Sequence, residues 1–110
     1  MSLNNIIYLG RDNEVFISFT FGGDFSTGGL TNFTDISLSI GVEVYTLLTT
    51  PTQLFLKDDF TLALKIGDIT ALTAGSYGID VIGFSAVYGD GFVLNCASHS
   101  AIERVIVKDC

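Results

Sequence analysis

The residues of this chain that could do chemistry are few, and their spacing keeps them apart. A single histidine, His99, stands between Ser98 and Ser100. A hydrolytic triad needs a nucleophile, a base and an orienting acid that converge. Neighbours on an extended segment point to opposite faces, so neither serine is placed to serve His99, which reads as a solvent-exposed residue between strands. Cys96 lies within an apolar strand with no nearby Lys or Arg in sequence to favour its thiolate, and reads as a small buried hydrophobe. Cys96 and Cys110 lack CxxC spacing and are too few for a disulfide scaffold, so reduced thiols in a cytosolic setting are expected rather than a bridge between them. Hard-cation ligands would be sought at Asp24, Asp58-Asp59 and Asp90, but none has EF-hand spacing, and paired Asp residues more often shape turns. The chain contains no tryptophan, which weakens both a glycosidase and a sugar-stacking reading. Gly10-Arg11-Asp12 reads as a polar turn whose ion pair is worth little. No catalytic residue, metal site or cofactor is expected, and the chain does not read as an enzyme.

Composition narrows the partners. Twelve acidic residues against five basic ones give a net charge of −7, and no Lys or Arg occurs between Lys65 and Arg104. Neutralising phosphates requires clustered cations, so direct nucleic-acid binding is not expected. The 110 residues, 48% hydrophobic and 15% charged, describe one domain over residues 1–110 with apolar surface to spare for a partner. The first eight residues lack the basic and apolar regions of a secretory signal. The most apolar window, residues 72–89, is interrupted by Asp80 and by Gly, Ser and Thr, so no membrane span is expected.

The elements that must position these residues are strands. Val15, Ile17, Phe19 and Phe21 alternate with Phe16, Ser18 and Thr20, which is the period of a strand with one buried face. Ile36, Leu38 and Ile40 alternate with Asp35, Ser37 and Ser39; Phe60, Leu62, Leu64 and Ile66 alternate with Thr61, Ala63 and Lys65. Further strands are expected over residues 6–9, 42–48, 53–56, 77–82, 84–88, 92–97 and 102–108, and no segment carries helical periodicity. Asp90-Gly91 between apolar runs signals a tight hairpin. Residues 22–29 hold four of the twelve glycines and read as a flexible loop. Eight or nine short strands with turns between them imply an all-β fold, an antiparallel two-sheet sandwich or a small barrel, of which the sandwich is favoured. In Leu72-Thr-Ala-Gly75-Ser-Tyr77, a glycine turn is followed by a tyrosine that enters an alternating strand. This is the setting of a tyrosine corner, whose hydroxyl bonds back to the upstream backbone, and it makes the sandwich immunoglobulin-like; Gly75 and Tyr77 are its structural residues.

Phe25, Phe33 and Phe55 fall in or beside loops. They are either caps on the ends of the sandwich or anchors for a neighbouring subunit, and they form the candidate interaction surface.

The chain order of these motifs resembles the small immunoglobulin-like domains of tailed-phage virion proteins, including the amino-terminal domain of baseplate upper proteins. The carriers are the Gly10-Arg11-Asp12 turn into the aromatic strand Val15–Phe21 and the run from Leu30 to Leu38. They continue with Leu72-Thr-Ala-Gly-Ser-Tyr77-Gly-Ile-Asp-Val81, the Tyr88-Gly-Asp-Gly-Phe92 hairpin, and Val105-Ile-Val107. The resemblance implies a non-enzymatic structural component of a phage or prophage particle, as a head decoration, neck, tail or baseplate protein. It would be assembled in the bacterial host cytoplasm, reside in the virion, and partner with other virion proteins and with copies of itself. The alternative is a ligand-binding or adhesion sandwich that grips a carbohydrate or Ca2+ with its end loops, residues 22–29 and the Asp90 hairpin.

Overall fold

The computed structural model describes residues 4–21, 23–67, 72–95 and 104–109. Among the described residues there are nine strands: β1 (Asn4–Leu9), β2 (Asn13–Ser18), β3 (Asp35–Ile40), β4 (Glu43–Thr46), β5 (Leu54–Asp58), β6 (Thr61–Ile66), β7 (Gly75–Phe84), β8 (Phe92–Asn95) and β9 (Arg104–Asp109). Two short 3-10 turns, Gly23–Phe25 and Gly29–Asn32, are the only helical segments among the described residues. The fold is all-β with two sheets. One runs β1-β9-β7-β3-β4 with β8 also on β7, and the other runs β2-β6-β5.

The alternation read from sequence decides what each strand buries. Val15 and Ile17 of β2, Ile36, Leu38 and Ile40 of β3, and Leu62, Leu64 and Ile66 of β6 all face one shared core. Ile7, Ile79, Val81, Val105 and Val107 complete it from the larger sheet, and at 0–1% exposure these side chains have left water almost entirely. Each contributes on the order of 1.5 to 3 kcal/mol of burial free energy.

Two expectations need correction. The sandwich is not wholly antiparallel, because β1 pairs with β9 in parallel, Ile6 opposite Ile106 and Tyr8 opposite Lys108. Parallel pairing needs a long connection rather than a hairpin, and the whole intervening chain supplies it. The second correction is at the hairpin. Residues 77–82 and 84–88 are not separate strands; β7 is one ten-residue strand ending at Phe84. Residues 85–88 leave the ladder because the Tyr88 N–H is taken by Ser85 Oγ at 3.1 Å, and the Tyr88 ring turns into an aromatic cluster. The Gly91 N–H donates to the Tyr88 carbonyl at 3.1 Å, so Gly89 and Asp90 are the central pair of the turn. Gly91 follows at φ +98°, where a Cβ would lie 2.6 Å from Ile82 Cγ2.

β8 and β9 share one edge of β7, β8 along its second half and β9 along its first. Where β8 departs, the register shifts between Val81 and Ile82, and the buried Asn95 side chain donates to the Ile79 carbonyl at 2.7 Å. That amide does for Ile79 what a ladder partner would have done.

Between β1 and β2 the chain crosses from one sheet to the other, and Asn13 fixes the crossing. Its Oδ1 accepts from the Tyr8 N–H at 2.8 Å, and its Nδ2 donates to the Tyr8 carbonyl at 3.1 Å and the Arg11 carbonyl at 2.9 Å. Between β6 and β7, the Tyr77 hydroxyl donates to the Thr73 carbonyl at 2.8 Å and accepts from the Thr73 N–H at 3.2 Å. Gly75 opens β7 just ahead of it, with the Tyr77 ring edge 3.9 Å from where a Cβ would sit.

Candidate interaction surface

The three phenylalanines singled out by sequence go to different places. Phe33, at 6% exposure, is core, so its ring is not offered to solvent. It lies flat on Gly83 of β7: a Cβ there would sit 2.6, 2.7 and 2.8 Å from three atoms of the Phe33 ring. Phe25 is half-buried, with centroids 5.2 Å from Phe33, 5.1 Å from Phe92 and 5.8 Å from Tyr88. The cluster continues through Phe21, 6.1 Å from Phe25, to Phe60, 6.1 Å further on. Tilted and edge-on rings at these separations add about 0.5 to 1.5 kcal/mol per pair beyond their burial. The residues expected to be a loose glycine loop are held by local bonds, Ser26 Oγ to the Gly23 carbonyl at 2.8 Å and Thr31 Oγ1 to the Gly28 carbonyl at 2.7 Å.

Phe55 lies in β5, inside the strand expected over residues 53–56, on the outer face of the smaller sheet. The register sets Phe16, Ala63 and Phe55 side by side across β2, β6 and β5. Ala63 is fully buried although it projects away from the core, flanked by the two rings. Lys57 Nζ sits 4.2 Å from the Phe16 centroid, a cation over a ring face. Sequence reasoning missed Phe16, yet the signal was present: it is an aromatic among Glu14 and Ser18 on the polar side of β2.

The residues most exposed for their apolarity lie elsewhere, and alternation alone did not single them out. Val42, Val44 and Leu48 lie on or beside β4, and Val87 and Val93 on the β7–β8 hairpin. On the outer face of the larger sheet the register aligns Thr46, Ser37, Ile82 and Val93 in one row, with Val44, Ser39 and Asp80 in the next. Around β3 this face mixes small polar and aliphatic side chains with the acidic Asp35 and Asp80.

The acidic positions behave as turn formers. Asp58 Oδ1 accepts from the Phe60 N–H at 2.9 Å, and that bond, with help from Thr61, holds the carboxyl below its ordinary pKa. Asp90 is exposed in the hairpin, and Asp24 lies within the first 3-10 turn. Among the described residues no group of three His, Cys, Asp or Glu is gathered to hold a metal. An open groove of about 660 Å³ runs along the ends of β2 and β6, lined by Asp12, Glu14, Gln53 and Lys65 among others. His99, Cys96 and Cys110 lie outside the described residues. Tyr45 is the clearest titration anomaly: burial, with the Glu43 carboxylate 3.3 Å from its hydroxyl, pushes the phenol up to about 12. Among the described residues no helix is long and apolar enough to cross a membrane.

No family model matches the chain, and no curated protein or solved structure matches it.

Proposed function

We propose that this chain is an immunoglobulin-like β-sandwich that serves as a non-enzymatic structural component of a phage or prophage particle, working through protein–protein contacts. The strand order supports the fold assignment. β2, β6 and β5 take the places of strands B, E and D, β3, β7 and β9 those of C, F and G, and β4 stands beside β3 as C′ does. The Tyr77 to Thr73 bond at the entrance to β7 is the bond a tyrosine corner makes.

The observation that carries the functional reading is the exposed aliphatic surface of the larger sheet, Val42, Val44, Leu48 and Val93, in a chain with only 15% charged residues. Such surface costs solubility unless a partner covers it, and assembly supplies that partner. A net charge of −7 disfavours adhesion to packaged nucleic acid. In this reading the protein is made in the host cytoplasm and ends in the virion.

The test is mass spectrometry of density-purified particles released by the source cells. The expected result is this chain at a copy number comparable with other structural proteins. Its absence from particles whose other components are detected overturns the reading. So does a melting temperature raised by Ca2+ or glycans, which marks an adhesion module.

A further inference from the structure

Among the described residues β4 pairs only with β3, and its second edge is open. The Leu47 N–H donates to the Ile36 carbonyl at 3.1 Å across that ladder. Directly opposed residues in an antiparallel ladder alternate between exchanging both bonds and exchanging none. Glu43, Tyr45 and Leu47 therefore turn their backbone groups toward β3, and Val44 and Thr46 turn theirs to the open edge. Thr46 is already satisfied there. Its N–H donates to Thr50 Oγ1 at 2.9 Å, and its carbonyl accepts from the Thr50 N–H at 3.0 Å and the Thr50 hydroxyl at 2.9 Å. Thr50 caps one half of the edge, and Val44 is left to present an N–H and a carbonyl side by side.

We propose that β4 pairs antiparallel with β4 of a second copy about a twofold axis through Val44; the proposal rests on the assembly reading and names its first partner. In this register each Val44 N–H donates to the other's carbonyl and Glu43 stands opposite Tyr45, and the pairing stops there because Thr50 holds the edge at Thr46. The pairing is self-complementary in a way a longer peptide is not. Each partner strand leaves at its Gly41-Val42 turn, opposite the Thr46 that Thr50 has capped, whereas an extended peptide would run on into that turn. The only charge in β4, Glu43, meets a tyrosine and not another carboxylate. The edge carries neither Lys nor Pro, and Val44, at 57% exposure, stands at its centre with Val42, at 75%, in the turn just before it. Two copies of charge −7 repel, so salt strengthens this dimer by screening.

Sedimentation of the full chain from micromolar to millimolar concentration, at low and high salt, reads the association directly, and amide exchange locates it. The expected result is a mass that doubles with concentration, at lower concentration in high salt, with Val44 amide exchange slowing as the dimer forms and Leu47 exchange unchanged. Val44→Lys sets like charges face to face at the axis and weakens the dimer about tenfold or more. Val44→Pro removes the edge donor without touching the β3 ladder; where it fails to fold, Val44→Lys carries the test. Val93→Lys, on the far hairpin, leaves the dimer intact. A protein monomeric up to millimolar, a dimer indifferent to Val44→Lys, or Val44 exchange independent of concentration each overturns the proposal. A monomer still found in purified particles refutes this edge pairing and leaves the assembly reading standing, whereas a Val44-dependent dimer missing from particles does the reverse.

Discussion

Replacing Asn13 by alanine removes three hydrogen bonds, to the Tyr8 N–H, the Tyr8 carbonyl and the Arg11 carbonyl, from a side chain that is 8% exposed. Each such bond contributes about 1 kcal/mol net, and a group left without a partner costs more. All three bonds are part-buried, so water replaces each of them only in part. The expected loss is about 2 to 3 kcal/mol. At roughly 2.1 cal/mol/K of unfolding entropy per residue, a chain of this length melts about 10 °C lower. Urea and thermal unfolding followed by circular dichroism measure both. Asn13→Asp sharpens the test: the carboxylate can still accept from the Tyr8 N–H but faces two carbonyl oxygens with no donor. Its folded pKa is raised, so the variant is most stable below the unfolded Asp value of about 3.9 and loses stability as pH rises through the folded value. An alanine variant within about 0.5 kcal/mol of the parent refutes the idea that this amide holds the crossing between sheets.

Tyr77→Phe deletes the hydroxyl that bonds to Thr73 and should cost about 1 to 2 kcal/mol, read by urea unfolding; an unchanged midpoint removes the corner from the list of stabilising contacts. Gly83→Ala drives a methyl into the Phe33 ring and should cost about 1 to 3 kcal/mol, partly recovered when Phe33→Leu is added. Additive effects in that double-mutant cycle would mean the two do not touch. Tyr45 carries a pH signature. Its folded pKa of about 12 lies above the ordinary value of 10, so the stability it provides is complete below pH 10 and is lost between pH 10 and 12. The stability of the parent should fall relative to Tyr45→Phe across that window, and a constant difference speaks against it.

Alternation made the buried faces of β2, β3 and β6 legible, because period two depends on nothing beyond the strand itself. The Tyr77 bond was legible for the same reason: donor and acceptor lie four residues apart. What sequence did not disclose depends on residues that are distant in the chain. The parallel union of β1 and β9 joins residues about a hundred positions apart, and no local pattern states a strand's neighbour. Phe33 reads as a loop aromatic until register brings Gly83, fifty positions on, beneath its ring. The narrowing of the open edge of β4 to Val44 follows from Thr50 turning back to cap Thr46, a turn whose chemistry is written in the Thr-rich run after β4 but whose target is not.

The parallel ladder of β1 and β9 also sets how the protein answers a pull. A force that draws Asn4 and Asp109 apart acts along two neighbouring strands at opposite ends, so the six opposed residue pairs from Asn4–Arg104 to Leu9–Asp109 are sheared together. An antiparallel pair tethered at one end would unzip bond by bond at far lower load. Held between neighbours at those two points, the domain is a mechanical clamp, stiff until the whole ladder yields at once.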